Sequence, residues 1–229
     1  MKLWKKLFPD KPLKHEAVGV DTTYSNASCN FSLAHPSNWK VEFENRGVAG
    51  SRWTETLRLI GPTGSAVRPY VTVVTGLVEN DGKSLSAYMQ KAETDFRSGF
   101  SNLRILSKRE DTLLGSPAAW MTYTYQADTG SRQEMNITIF FGKQEWNVWF
   151  QFICETDVRQ FSSDSPVFER IVRSLRINSG GLRLVNLNLV GPPCGKCGSG
   201  GSAGNYPKPV FDPTDGIVVP VCDLCWKTV

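Results

Sequence analysis

The chain has 229 residues, of which 40% are hydrophobic and 21% are charged, as is typical of a globular protein with room for one domain and a smaller module. Its net charge of +4 comes from residues 1–14, which contain five lysines and one acidic residue. The rest of the chain is balanced, which argues against binding of nucleic acid, because such proteins normally carry an excess of basic residues in their folded part.

Residues 1–27 are predicted to be a basic leader segment. The lysines at its start are not followed by an apolar stretch or a cleavage site, so it does not resemble a secretory signal, and we expect the protein in the cytoplasm. Leu3, Trp4, Leu7 and Phe8 have the spacing of one helix face. Residues 1–8 therefore fit either a tail packed loosely on its own domain or a small amphipathic anchor for a membrane surface or a partner.

Residues 28–178 are predicted to form one α+β domain. Its first half contains β-rich segments at residues 30–34, 57–60 and 69–75, bounded by glycine and proline. Apolar residues then recur at three- and four-residue steps, which predicts an amphipathic helix from about Ser84 to Gly99. Three alternating segments follow, at about residues 119–125, 135–141 and 146–154, and indicate an antiparallel meander with one buried face.

The last helix of this domain is predicted to begin near Ser165 and Pro166. Serine is a favourable N-cap and proline is favourable at the first helical position. An antiparallel sheet with two helices packed against it gives an α+β sandwich. Residues 179–229 are predicted to contain a strand, at about residues 182–190, a linker and a four-cysteine metal-binding module.

Four stretches of the domain resemble PsbP-like proteins. They are Asn30-Phe-Ser-Leu-Ala-His-Pro-Ser-Asn-Trp-Lys-Val41, Leu85-Ser-Ala-Tyr88, Gly115-Ser-Pro-Ala-Ala-Trp120 and Phe168-Glu-Arg-Ile-Val-Arg-Ser-Leu-Arg-Ile177. The family includes the photosystem II extrinsic protein, a Ran-binding nuclear transport factor, envelope lipoproteins and Eag-type chaperones. The resemblance implies a PsbP-like sandwich that acts as a binding module, and it does not name the partner.

The C-terminal cysteines form two Cys-x-x-Cys pairs, Cys194-Gly-Lys-Cys197 and Cys222-Asp-Leu-Cys225, separated by 24 residues. Two such turns supply the four thiolates of a tetrahedral site, which suits structural Zn²⁺ in a zinc-ribbon-like module. Iron is the alternative metal, because the arrangement also resembles rubredoxin, although the second pair lacks the Cys-Pro step of that pattern. Free or redox-active thiols are a further alternative.

No set of residues in the sequence predicts an active site. His15 and His35 are expected to be surface or packing residues, and Cys29 and Cys154 to be small buried hydrophobes. Trp146, Trp149 and Phe150 are expected to be buried, although they could form a patch for a partner.

The sequence therefore predicts a non-enzymatic protein-binding or scaffold module with one structural zinc ion. A chaperone or adaptor for an apolar client segment is an alternative, as is rubredoxin-like electron transfer if the metal is iron.

Overall fold

A computed structural model of the chain describes residues 21–47, 53–62, 67–79, 84–141, 146–179, 181–183, 208–212 and 217–221. The elements within these ranges are β1 (Asp21–Asn26), β2 (Phe31–Pro36), β3 (Lys40–Gly47), β4 (Trp53–Ile60), β5 (Tyr70–Glu79), α1 (Leu85–Gly99), β6 (Ser101–Leu113), β7 (Ser116–Ala127), β8 (Gly130–Phe141), β9 (Trp146–Asp157), α2 (Phe161–Arg173), β10 (Arg176–Ile177), β11 (Leu182–Arg183), β12 (Lys208–Asp212) and β13 (Ile217–Val221). Strand β1 thus begins before residue 28.

A seven-stranded antiparallel sheet has the strand order β3-β4-β5-β9-β8-β7-β6. The predicted meander is confirmed, because β7, β8 and β9 are consecutive antiparallel neighbours. The chain leaves the middle of the sheet after β5, passes through α1 and re-enters at the far edge as β6. The helix consequently lies over β6 and β7.

The main hydrophobic core lies on the side of the sheet that faces α2, which we call the α2 face. Phe150 and Phe152 of β9 are fully buried there, and Phe31 of β2 contacts the Phe150 ring edge-on at 5.2 Å between centroids. Strands β1, β2 and β10 form a second, three-stranded sheet on this side. The predicted α+β class, with helices packed against an antiparallel sheet, is confirmed.

The opposite side of the sheet, the α1 face, holds a smaller apolar cluster. The Ser84 hydroxyl caps α1 by accepting the Ala87 amide at 3.2 Å, and the helix ends at Gly99, as the periodicity predicts. Met89 of α1 packs against Met121 and Tyr123 of β7. Burial of this apolar stripe explains why the helix forms there.

Helix α2 starts earlier than the sequence predicts. It begins at Phe161 with Gln160 as N-cap, and Pro166 lies inside it, so the prediction of a start at Ser165 is wrong. Contacts outside the helix hold the additional turn: Phe161 packs against the main core, and Asp164 accepts a hydrogen bond of 2.7 Å from Thr156 of β9.

The segment after β10 is attached to the domain by Asn30. This residue adopts a left-handed conformation with φ of 60°, and its side-chain amide donates to the carbonyl oxygens of Ser179 and Gly181 at 2.9 and 2.8 Å. Leu182 is fully buried in the main core. Of the strand predicted at residues 182–190, the described part is β11, which pairs with the β12–β13 hairpin.

Within the described part of the chain, neither helix has the length and apolar character needed to cross a membrane.

Candidate functional site

The α1 face carries a row of tyrosine and glutamate side chains across four neighbouring strands. In the strand register, Tyr123 of β7 pairs with Glu134 of β8, Glu134 with Glu155 of β9, and Glu155 with Tyr70 of β5. Because paired residues of antiparallel strands point to the same side, the four side chains lie next to one another. Together with Tyr125 and Arg132, we call them the tyrosine–carboxylate cluster.

The burial of this cluster differs from what alternation along β8 suggests. Met135, Ile137 and Ile139 face the main core, so the residues between them are expected to be solvent-exposed. Glu134 and Asn136 are nevertheless only 4% and 6% exposed. Both faces of β8 are thus buried, and the polar groups on the α1 face need partners within the protein.

Glu134 is held by two donors. Its Oε1 atom accepts hydrogen bonds from the Tyr123 hydroxyl and from Asn136 Nδ2, the latter at 3.2 Å. Burial raises the pKa of Glu134 to about 7, and the charge of Glu155 adds to the rise, whereas the two hydrogen bonds oppose it. Glu134 is therefore a buried carboxyl group that changes charge near neutral pH.

Glu155 has a different set of partners. Its Oε2 atom accepts hydrogen bonds from the hydroxyls of Tyr70 and Tyr125 at 2.6 and 2.5 Å, and its Oε1 atom lies 3.6 Å from Nε of Arg132. Two phenols and a guanidinium thus stabilise a carboxylate that is itself 6% exposed.

The tyrosines of the cluster act as hydrogen-bond donors. Burial is the first cause that raises the pKa of Tyr70 and of Tyr125, and the neighbouring carboxylate of Glu155 adds to it. The pKa of Tyr123 is likewise raised by burial and by Glu134. These phenols therefore remain protonated over the physiological pH range.

The guanidinium of Arg132 is only partly hydrogen-bonded. Its Nη2 atom donates to Thr129, whereas its buried Nη1 atom has no hydrogen-bond partner in the described structure. The side chain is about 9% exposed, so the group is desolvated.

A second set of polar contacts joins the meander to α1. Gln151 Nε2 donates to Asn136 Oδ1 at 2.9 Å and lies 3.3 Å from the Thr138 hydroxyl. The hydroxyls of Thr138 and Tyr88, which lies on α1, are 3.3 Å apart. These contacts form a hydrogen-bonded polar layer beneath α1 and help to fix the position of the helix.

The four cysteines predicted to bind zinc, Cys194, Cys197, Cys222 and Cys225, lie outside the described residues. Strand β13 ends at Val221, so Cys222 follows it directly in the sequence. Among the described residues, no group of three or more histidine, cysteine, aspartate or glutamate side chains is arranged to hold a metal ion.

The two single cysteines are buried in the main core, as predicted. Cys29 and Cys154 have no exposed surface, and burial raises the pKa of the Cys154 thiol well above its usual value. Burial suppresses thiolate formation, so Cys154 is a poor nucleophile.

His35, Trp149 and Phe150 are buried or partly buried in the domain. His35 is 7% exposed and packs in the domain, with Nδ1 lying 2.9 Å from the Pro36 carbonyl oxygen. Phe150 is fully buried, and Trp149 is partly buried over Gly76. His15 and the side chain of Trp146 lie outside the part of the chain that the structure describes.

Sequence reasoning did not find the tyrosine–carboxylate cluster. Glu134 and Glu155 each occur next to core residues in an alternating segment, where a polar residue ordinarily faces water. The available signal is the strand register: a hairpin that pairs residue 130 with residue 127 and continues regularly places Tyr123 opposite Glu134.

Comparison with known proteins supports the fold. No known family model matches the sequence, and none of the curated proteins matches it. Among solved structures, LpqN, which is involved in cell envelope biogenesis of Mycobacterium tuberculosis, matches with a TM-score of 0.52 and 12% identity, over 69% of this chain and 91% of LpqN. The chain shares the fold of LpqN.

Two further solved structures match with lower TM-scores. Cyanobacterial PsbP from Synechocystis sp. PCC 6803 matches with a TM-score of 0.45 and 12% identity, over 71% of this chain and 96% of that protein. The Ran-binding protein Mog1p from Saccharomyces cerevisiae matches with a TM-score of 0.45 and 10% identity, over 69% of this chain and 96% of Mog1p. We base the fold on the LpqN match.

Proposed function

We propose that this protein is a cytoplasmic, non-enzymatic binding or scaffold module of PsbP-like type. In this proposal, its C-terminal module binds one structural zinc ion through Cys194, Cys197, Cys222 and Cys225.

The internal pairing of the tyrosine–carboxylate cluster supports a non-enzymatic role. Glu134 has the pKa of a general acid or base, but its partners are Tyr123 and Asn136 of the same domain. Glu155 is likewise bound by two phenols. The hydrogen bonds of both carboxyl groups are thus made within the domain, whereas a catalytic group must reach a substrate.

The order of the C-terminal elements supports the zinc proposal. The β12–β13 hairpin falls between the two Cys-x-x-Cys pairs in the sequence, and a hairpin next to paired thiols is the usual scaffold of a ribbon-type zinc site.

Metal analysis of the full chain tests the proposal. Protein purified without added metal is expected to contain one zinc ion per chain, to be colourless, and to lose the metal in the Cys194→Ser/Cys222→Ser variant. The matched control is Cys29→Ala/Cys154→Ala. It also replaces two cysteines, but these lie in the main core, and the variant is expected to keep the zinc.

The other outcomes are equally informative. Iron with visible absorption would refute the zinc site and favour electron transfer. Protein without metal would refute the metal site and make the four cysteines redox candidates. For the binding role, a partner captured from cell extract is expected to be retained by the control variant and lost by the serine variant if the module presents the binding surface.

A further inference from the structure

Strand β6 forms one edge of the seven-stranded sheet. Among the described strands its only neighbour is β7, and most of its thirteen side chains are partly or fully exposed. An edge strand presents unpaired backbone N–H and C=O groups that can bind another strand.

The two halves of β6 differ in regularity. The register with β7 shifts between Ser101 and Arg104 and again between Ile105 and Ser107. Such irregularities twist an edge and hinder the addition of a further strand. From residue 107 to residue 113 the pairing with β7 is continuous, so this half is regular, and no other described strand pairs with it.

The regular half has a self-complementary charge pattern. Lys108 and Arg109 are followed directly by Glu110 and Asp111. When two copies of this segment run antiparallel about a two-fold axis at residue 110, Arg109 of each copy lies opposite Asp111 of the other. With the axis at residue 109, Lys108 lies opposite Glu110. Each register gives two cross-strand pairs of opposite charge, which stabilise a sheet, and one like-charge pair on the axis, where Glu110 or Arg109 faces its own copy.

Contacts within the domain hold two of these charges in place. The Arg109 guanidinium lies over the Trp120 ring at 4.1 Å and bonds Glu169 of α2 at 3.2 Å. Asp111 Oδ2 lies 3.0 Å from Arg173 Nη2, also on α2. Side chains that are already ordered lose less conformational entropy when a second strand arrives.

The α1 side of the edge has room for the side chains of an added strand. A groove of about 400 Å³ lies between α1 and β6, and its lining includes Met89, Glu93 and Arg97 of the helix and Lys108 of the strand. Glu93 bonds both Arg97 and Lys108 at 2.7 Å, so the wall of the groove is charged but internally paired.

We propose that the β6 strands of two copies of this chain pair antiparallel through residues 107–113 and join their seven-stranded sheets into one continuous sheet. The contact is small, so the dimer is weak and depends on protein concentration. A second copy supplies an additional partner of opposite charge to Arg109 and Asp111 in one register, or to Lys108 and Glu110 in the other, and this complementarity favours a second copy over an unrelated strand. Self-association at this edge goes beyond the metal and partner roles proposed above.

Charge reversal of each half of the pattern tests the proposal in the full chain by sedimentation velocity over a concentration series. The acidic variant, Lys108→Glu/Arg109→Glu, and the basic variant, Glu110→Lys/Asp111→Lys, each place like charges opposite one another in either register. Each is expected to weaken the dimer by more than about tenfold. An equimolar mixture is expected to restore dimers, because every charged position then faces its opposite.

The matched control reverses one positive and one negative charge at positions away from the β6 edge. Lys91 and Asp95 form an exposed ion pair on α1, and the variants Lys91→Glu and Asp95→Lys are expected to dimerise like the wild type, alone or mixed. Circular dichroism verifies that each variant is folded.

A measurement on the wild type covers the case of a variant that does not fold. The amides of residues 107–113 are expected to exchange hydrogen more slowly at high than at low protein concentration. A chain that stays monomeric at every concentration overturns the proposal. So does a dimer that neither variant weakens, or a mixture of folded variants that remains monomeric.

Discussion

Replacing Glu134 with glutamine removes a buried titration without changing the shape of the side chain. Glutamine resembles the protonated carboxyl group, and its carbonyl oxygen can accept the hydrogen bonds from Tyr123 and Asn136 that Glu134 accepts. The variant therefore separates the effect of the charge from the effect of the contacts.

The expected pH dependence follows from the raised pKa. Glu134 has a pKa of about 7 in the folded protein and about 4.5, its ordinary value, in the unfolded chain. Below pH 4.5 Glu134 is protonated in both the folded and the unfolded protein, so its contribution to stability is fully present. As pH rises from about 4.5 to about 7, Glu134 ionises in the unfolded chain while it stays largely protonated in the folded protein. The free energy of unfolding therefore falls by about 3 kcal/mol over this range.

The Glu134→Gln variant does not undergo this loss. Its free energy of unfolding is expected to be close to that of the wild type near pH 4 and to exceed it by about 3 kcal/mol near pH 8. Urea unfolding followed by far-UV circular dichroism from pH 4 to pH 8 measures the difference. Titrating groups that do not interact with Glu134 are common to both proteins and cancel.

Glu169→Gln is the matched control. Glu169 is about 41% exposed and pairs with Arg109 at the surface, so its replacement is expected to change stability by less than about 1 kcal/mol at any pH in this range. A difference between wild type and Glu134→Gln that stays constant from pH 4 to pH 8 would refute the assignment of a raised pKa to Glu134.

Four substitutions test the packing and the cap of α1. A Cβ at Gly76 would lie 2.4 Å from the Trp149 ring, so Gly76→Ala is expected to lower the free energy of unfolding by about 1–3 kcal/mol. A Cβ at Gly99 would meet no atom within 4 Å, so Gly99→Ala is expected to be neutral or to stabilise the protein by up to about 1 kcal/mol. Ser84→Ala removes the cap of α1 and is expected to cost about 1 kcal/mol. Phe168→Ala empties a fully buried site and is expected to cost about 3–5 kcal/mol. Urea unfolding at neutral pH measures all of these changes, and equal losses for Gly76→Ala and Gly99→Ala would contradict the role given to Trp149.

Elements with strong periodicity were predictable from the sequence. The α1 stripe and the alternation along β7, β8 and β9 appear because each element buries one apolar face. Strand β6 was not predicted, since an edge strand exposed along most of its length has no need of alternation. The start of α2 was misplaced because its first turn is held by contacts outside the helix: Phe161 packs against the main core, and Asp164 bonds Thr156 at the end of β9.

The tyrosine–carboxylate cluster could not be predicted from local patterns. Glu134 and Glu155 are 21 residues apart, and only the register of β8 against β9 brings them together. Tyr70, far earlier in the chain, reaches Glu155 because β5 pairs with β9 after the crossover through α1. The burial that raises the pKa of Glu134 is likewise a property of the assembled sheet.

The sequence by itself determined the local preferences of this protein: which segments alternate, where α1 is capped, and the spacing of Cys194, Cys197, Cys222 and Cys225 that predicts a metal site. These features depend on residues close together in the chain, and propensity and periodicity describe them directly. The tertiary structure alone decided which polar residues are buried together and which strand is left at the edge. Both depend on pairing between distant segments, whose register is set by the packing of the whole sheet.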